Sequence, residues 1–193
     1  TGTIHLTNLC TEITLPQDEK NIATCNLISI NLSAHLKADK TWDWERLKNS
    51  ARAAIRQLDN LVDITQTPIP EAMHANEQTR AIGLGMMGFT DVLEKLGLSY
   101  ESEEAYDLID QLTEFISFHA IDQSADLASE RGNYPVFEGS GWSKGTLPID
   151  TIKKLADSRG EEVKISQKTR LDWAKLRKKA KKGMRNDTLM AIA

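Results

Sequence analysis

Apolar positions recur at helical spacing through most of the chain and at strand-like spacing only near its two ends. Leu47, Ala51, Ala54, Ile55, Leu58, Leu61 and Val62 share one helical face, and Thr41 or Asp43 can cap the helix they predict. Thr67-Pro68-Ile69-Pro70 breaks the pattern, because two prolines fix φ and remove donors. A second helix is predicted over Glu71–Leu96, with Gly97 as a left-handed terminator. The clearest helix starts at Ser102, carries Glu103 and Glu104 in its first turn, and ends at Arg131-Gly132. Its stripe is Leu108, Ile109, Leu112, Phe115 and Ile116. Residues 133–148 read as a loop bearing glycine and aromatic residues. Short helices are predicted at Asp150–Asp157 and Thr169–Lys182, the latter stopped by Gly183.

The ends read differently. Thr3–Leu6 predicts a short strand, Ile13–Leu15 continues extended to Pro16, and Gln17–Asn21 is a polar turn. Ile22–Leu32 is β-friendly at Ile22, Ile28 and Ile30 and is expected to be a mostly buried strand. Thr188–Ile192 predicts a final strand. Thr1 in place of an initiator Met, and an apolar close at Ala193, suggest a piece of a longer polypeptide.

Composition narrows the class. In 193 residues, 40% are hydrophobic and 27% charged, which is globular rather than disordered. A net charge of −4 gives no general pull toward nucleic acid or acidic membranes. No apolar run is long enough for a membrane helix, and no signal peptide opens the chain. Two cysteines do not make a secreted disulfide scaffold; a reducing, cytoplasmic setting with redox or catalytic thiols is expected.

Chemistry concentrates at Asn8-Leu9-Cys10-Thr11-Glu12. In extended backbone, side chains at every second position share a side, so Asn8, Cys10 and Glu12 would converge. A thiol between an amide and a carboxylate makes a small reaction centre. The competing reading is a cysteine serving as a small buried hydrophobe. Cys25 follows 15 residues later and is the only other cysteine.

Other motifs are weaker. Gly83-Leu84-Gly85-Met86-Met87-Gly88 matches the dinucleotide fingerprint letter for letter, yet that fingerprint needs a preceding strand, and Glu77–Arg80 is polar and helix-like. Close helix packing over glycine is the reading taken. The basic run from Lys175 to Arg185 reads as a solvated helix face, with a nucleic-acid-binding helix as the rival. His5, His35, His74 and His119 show no metal-ligand spacing, so no metal is expected. His119 is expected to be a satisfied core or interface histidine, and Trp42, Trp44, Trp142 and Trp173 packing anchors.

Six segments taken in order resemble one family. They are Asn8–Ile13, Ala23–Leu32, Arg80–Gly88, Phe137–Ser140, Leu147–Asp150 and Met184–Ala193. Together they look like the catalytic large subunit of ribonucleotide reductase, most like class I. The adenosylcobalamin-dependent class is the alternative. The resemblance implies an α/β fold, part of a ten-stranded α/β barrel, with this piece predominantly helical and carrying a few short strands. The whole of 1–193 would be one segment of that barrel domain: finger loop and strands at 1–32, a helical region at 41–183 and a barrel strand at 188–193.

The family's roles then fall on particular residues. Cys10 matches the thiyl-radical cysteine, Glu12 the general base, and Asn8 the group that positions the ribose. Asn8, Leu9, Cys10 and Glu12 together would contact the substrate. Cys25 matches one member of the redox pair, its partner lying outside this chain. The implied substrate is a ribonucleoside diphosphate. The implied partners are the rest of the large subunit, a second copy of it, a small radical-generating subunit, and thioredoxin or glutaredoxin as reductant; no nucleic acid and no membrane are expected. No cofactor is expected here. The family places a dinuclear metal and tyrosyl radical in the small subunit, and ATP or deoxynucleotide effectors outside this segment. Alone, the chain is expected to be inactive.

Overall fold

The computed structural model describes residues 4–7, 14–24, 26–163, 165–166 and 168–189. Asn8, Leu9, Cys10, Glu12 and Cys25 lie outside the described residues.

Strand β1 spans Leu27–Asn31 and pairs in parallel with β2, Gly83–Met87, so that Leu27 faces Gly83 and Asn31 faces Met87. A parallel pair needs a crossover. Here a 3-10 turn at Leu32–His35, helix α1 at Trp44–Ile64 and helix α2 at Pro70–Thr79 supply it. β2 is also bonded on its other side: the Ile82 and Leu84 amides donate to the Thr188 and Leu189 carbonyls, both at 3.0 Å. The C-terminal stretch therefore lies beside β2 as the predicted final strand would, with 190–193 outside the described residues.

Helix α1 begins where Asp43 accepts the Arg46 amide at 3.1 Å. It buries Leu47, Ala51, Ile55, Leu58 and Val62. That stripe packs on helix α4, Glu103–Arg131, through Leu112, Ile116, Ala120, Ile121 and Leu127. Ser102 caps α4 by accepting the Ala105 amide, as its sequence position predicts. Fully burying each Leu, Ile or Val among these contributes roughly 1.5–3 kcal/mol, so this helix pair holds the core. Charges line its rim: Arg56 grips Glu130 with two bonds of 2.9 and 2.6 Å, and Arg52 reaches Asp122 and Asp126.

The predicted Glu71–Leu96 helix is three elements. α2 ends at Thr79, β2 occupies Gly83–Met87, and α3 covers Phe89–Leu96 before Gly97 at φ +75°. The helical region assigned to 41–183 thus contains a strand. Arg80, in the left-handed conformation at φ 49°, turns the chain out of α2. The glycine motif is not helical packing. Its first five residues are the strand itself, where the small Gly83 and Gly85 sit against β1. A dinucleotide fingerprint is not restored either, because Glu77–Thr79 is helix rather than strand.

At the ends, Ile4–Thr7 forms no strand. Gln17–Asn21 is a tight turn closed by paired Asp18 and Asn21 backbones, as expected. β1 is shorter and more exposed than predicted, with Leu27 at 42% exposure. After α4, Tyr134 and Phe137 plug the core edge-to-face at 5.7 Å. A 3-10 turn at Pro148–Asp150 leads into α5, Thr151–Arg159, and α6 is confined to Trp173–Ala180. The basic run is not simply a solvated face: Arg177 pairs with Asp150, Lys179 with Asp122 and Asp126, and Arg185 with Asp59.

The tryptophans are packing anchors. Trp44 packs tilted against Phe115 at 4.9 Å, and Trp173 meets Phe118 at 5.3 Å while its ring N–H donates to Glu114 at 2.9 Å. His119 is not a satisfied histidine. Its Nδ1 is buried with no hydrogen-bond partner among the described residues, between the edges of Phe115 and Phe118.

Candidate functional site

Described residues on either side of the Cys10 segment in sequence meet. The Gln17 side-chain amide donates to the Leu6 carbonyl at 3.2 Å. A polar side chain just before the turn at 18–21 is what makes that clasp available.

A cleft of about 700 Å³ opens beside this clasp. His5, Leu15 and Pro16 form one wall, flanking residues 8–13 on both sides. Ala23 and Thr24, just before Cys25, form a second. Helix α2 supplies His74, Asn76 and Thr79, and the far side is Glu138, Ser140 and Asp187. His5, Leu15 and Pro16, which bracket the Cys10 segment in sequence, and Thr24, which precedes Cys25, therefore border one cavity.

Thr24 and Asn26, the sequence neighbours of Cys25, share one hydrogen-bond partner. Thr24 donates its hydroxyl to Asn76 Oδ1 at 3.1 Å, and Asn26 donates its side-chain amide to the same oxygen at 3.0 Å. Asn76 in turn donates to the Val62 carbonyl at 3.1 Å. The Asn26 carbonyl accepts the Gly83 amide at 2.8 Å, which starts the β1–β2 ladder.

On the far side Asp187 is a half-buried acid, with the buried phenol of Tyr134 nearby. Asp187 is anchored by its backbone: its amide donates to Thr79 and its carbonyl accepts the Trp142 ring N–H at 2.7 Å. Burial pushes its carboxyl above the usual carboxylate range, only partly offset by the nearby Tyr134 hydroxyl. Tyr134 is 1% exposed, and its hydroxyl makes no hydrogen bond among the described residues. Burial raises its pKa well above that of an ordinary phenol; Ser140 opposes the shift and Asp187 adds to it.

Behind the cleft sits an ion cluster. Asp59 on α1, wholly buried, meets Arg80, Arg131, Arg185 and Asn186. Burial disfavours the Arg80 charge, but Asp63 and Asp59 more than compensate and raise its pKa. The cluster welds the ends of α2 and α4 to the 185–187 segment that carries Asp187.

Among the described residues, no group of three or more His, Cys, Asp or Glu side chains is placed to hold a metal ion. No helix among them is long and apolar enough to cross a membrane. Asn76, Asp187 and Tyr134 were invisible as site residues in the sequence. The one available signal was that Phe137–Ser140 and Met184–Ala193 belong to the segments that carry the resemblance, and Glu138, Ser140 and Asp187 line the cleft.

Comparison with known proteins agrees along the full length. The family described as ribonucleotide reductase, barrel domain, matches residues 1–193. A ribonucleoside-diphosphate reductase subunit alpha from Chlamydia pneumoniae is 47% identical over the whole of this chain and 18% of its own length. The subunit alpha from Helicobacter pylori (strain J99 / ATCC 700824) is 43% identical over 89% of this chain and 21% of its own length. A large subunit from Caenorhabditis elegans is 37% identical over 98% of this chain and 23% of its own length. The chain spans about a fifth of the length of these relatives.

Proposed function

Because the chain belongs to the ribonucleotide reductase barrel-domain family, we propose that it is the segment of a class I large subunit that reduces ribonucleoside diphosphates to 2′-deoxyribonucleoside diphosphates. The carrying observation is the convergence on one cleft. The flanks of Asn8–Glu12, the residue before Cys25, and the Phe137–Ser140 and Met184–Ala193 segments all border the same 700 Å³.

In this reading, Cys10 is the radical carrier. Its sulfur removes the 3′ hydrogen of the ribose and later returns it. Glu12 takes the proton of the 3′ hydroxyl, easing departure of the 2′ hydroxyl as water. Asn8 holds the ribose hydroxyls in that geometry, with Leu9 beside it. Cys25 and a second cysteine elsewhere in the longer polypeptide supply two electrons and two protons and end as a disulfide. Asn8–Glu12 forms the finger loop of a ten-stranded barrel, and β1, β2 and the stretch from Thr188 supply strands of it. Thr1–Ala193 is one segment of that barrel.

A small partner subunit carrying a dinuclear metal and tyrosyl radical would supply the one-electron oxidant for Cys10. Thioredoxin or glutaredoxin restores the thiols. The large subunit pairs with a second copy, and ATP and deoxynucleotide effectors act on parts of it beyond this segment.

The test uses the full-length polypeptide containing this segment, with its small subunit and a thiol reductant. Cys10→Ser and Glu12→Gln abolish or severely reduce deoxyribonucleotide formation while substrate still binds. Residues 1–193 alone form no product. Full activity of Cys10→Ser, or turnover by the isolated segment, would overturn the reading. Turnover that requires adenosylcobalamin and no small subunit would assign the other class.

A further inference from the structure

We propose that Asp187, Ser140 and the Tyr134 hydroxyl behind them form a subsite on the far side of the cleft for an uncharged, hydrogen-bonding group of the nucleotide, so that the nucleoside end and not the diphosphate faces this wall. The proposal rests on the reading of the cleft as a ribonucleotide site.

The first observation is charge. Among the described residues, the cleft is lined by the carboxyl groups of Asp18, Glu138 and Asp187 and by no Lys or Arg. Arg185, two residues before Asp187, is already engaged by Asp59 at 3.3 Å. A diphosphate brought against this wall would meet like charge, which costs affinity. A ribose hydroxyl or a base N–H finds oxygens to which it can donate.

The second is an orphaned hydroxyl. Tyr134 is 1% exposed, yet its hydroxyl has no hydrogen-bond partner among the described residues. Buried polar groups are rarely left so, because each gives up its hydration without return. The hydroxyl lies close enough to Ser140 and Asp187 for both to act on its ionisation, and both of these line the cleft. Its unused bonding capacity therefore lies toward the cleft rather than the core.

The third is rigidity. The Asp187 amide donates to the Thr79 carbonyl at 2.9 Å, and its own carbonyl accepts the Trp142 ring N–H at 2.7 Å, so its main chain is fixed on both sides. Ser140 accepts the Ser143 amide at 3.2 Å, which leaves its hydroxyl proton as a donor. A carboxyl, a hydroxyl and a phenol from separate segments are thus placed before a ligand arrives, which lowers the ordering cost of binding.

The experiment splits the substrate into its two ends. The full-length polypeptide is assayed with its small subunit, and competitive inhibition of turnover is measured for a ribonucleoside and for inorganic pyrophosphate. Tyr134→Phe and Ser140→Ala each raise the inhibition constant of the ribonucleoside about three- to tenfold, the worth of one hydrogen bond, and leave that of pyrophosphate unchanged. Tyr134→Phe also raises the melting temperature of the ligand-free protein, because it removes a buried hydroxyl that has no partner. Ribose 5-phosphate as a third competitor distinguishes the two sources of the uncharged group. A parallel loss assigns the subsite to a ribose hydroxyl, and no loss assigns it to the base. An unchanged ribonucleoside constant in both variants overturns the proposal, as does an equal loss for pyrophosphate. A lower melting temperature of Tyr134→Phe with unaltered constants gives the hydroxyl a structural role and also overturns it. If Tyr134→Phe does not fold, the constants of Ser140→Ala decide alone. A wild-type protein on which neither fragment competes removes the ribonucleotide reading itself, whereas competition that the variants leave unaltered removes only the subsite.

Discussion

Arg80 wraps one carboxylate oxygen of Asp59 with two bonds, from Nε at 3.0 Å and from Nη2 at 2.7 Å. Asp59 is wholly buried and Arg80 nearly so, and the two lie on different helical segments joined by the turn at Pro70. A second bond from Arg80 Nη2 to the Asp59 main-chain carbonyl at 2.9 Å completes the grip.

Removing Asp59 leaves Arg80, Arg131 and Arg185 facing each other without their shared anion. Breaking a buried pair from one side costs about 3–5 kcal/mol. Asp59→Ala and Asp59→Asn should therefore both lower the free energy of opening of this region by that order, read as lost amide-exchange protection at β2 and in α4. The loss should be larger than for Arg56→Ala, whose partner Glu130 is half exposed and whose pair lies in the range of roughly 0–1 kcal/mol.

Gly88 has φ +76° and caps α3, and a Cβ there would sit 3.0 Å from Asn31 Oδ1. That oxygen already accepts from the Ser33 amide and hydroxyl. Gly88→Ala combines left-handed strain of about 1–2 kcal/mol with a displaced cap. It should destabilise the β1–β2 corner, whereas Gly139→Ala, with open space at its Cβ, should show the strain alone. Denaturant midpoints of the two variants separate the contributions.

His119 is held neutral by burial first, with Lys48 and Arg52 adding to the effect, so its pKa is lowered below 6.5. Unfolded, it titrates near that ordinary value. Between the two values the unfolded chain binds the extra proton. Stability is therefore unaffected above about pH 6.5 and is lost as the pH falls from there toward the folded pKa. His119→Phe should flatten this part of the stability profile, measured by thermal unfolding across pH 5–7.5.

Asp187 behaves in the opposite sense. Its folded pKa is raised above 3.8 by burial. Its contribution is fully present below the unfolded value and is lost as pH rises through the folded one. Asp187→Asn should raise stability at neutral pH and remove that loss, provided its backbone bonds to Thr79 and Trp142 persist. A fall in stability at pH 7 on this substitution would show that the carboxylate has a cationic partner in solution.

Some of this was readable before any coordinates. Helices α1 and α4 were, because their stripes repeat every three to four residues and Asp43 and Ser102 cap them locally. The turn at 17–21, the break before Pro70 and the stop at Gly97 follow from single-residue chemistry. The family too was readable, from segments whose order alone carries the resemblance.

What only the tertiary structure decided depends on residues far apart in the chain. Gly83–Met87 has no β-branched residue and sits inside a helix-like pattern; it is a strand because β1 and the Thr188–Leu189 stretch bond it from both sides. Asp59 looks like one polar residue on an amphipathic helix until Arg80, Arg131 and Arg185 close around it. Asn76 is an ordinary helical amide until the fold delivers Thr24 and Asn26 to its oxygen. The sequence by itself determined the local elements and the family, because capping, periodicity and motif order are written along the chain. The cleft and its walls came from burial and long-range hydrogen bonding, which exist only once the chain has closed on itself.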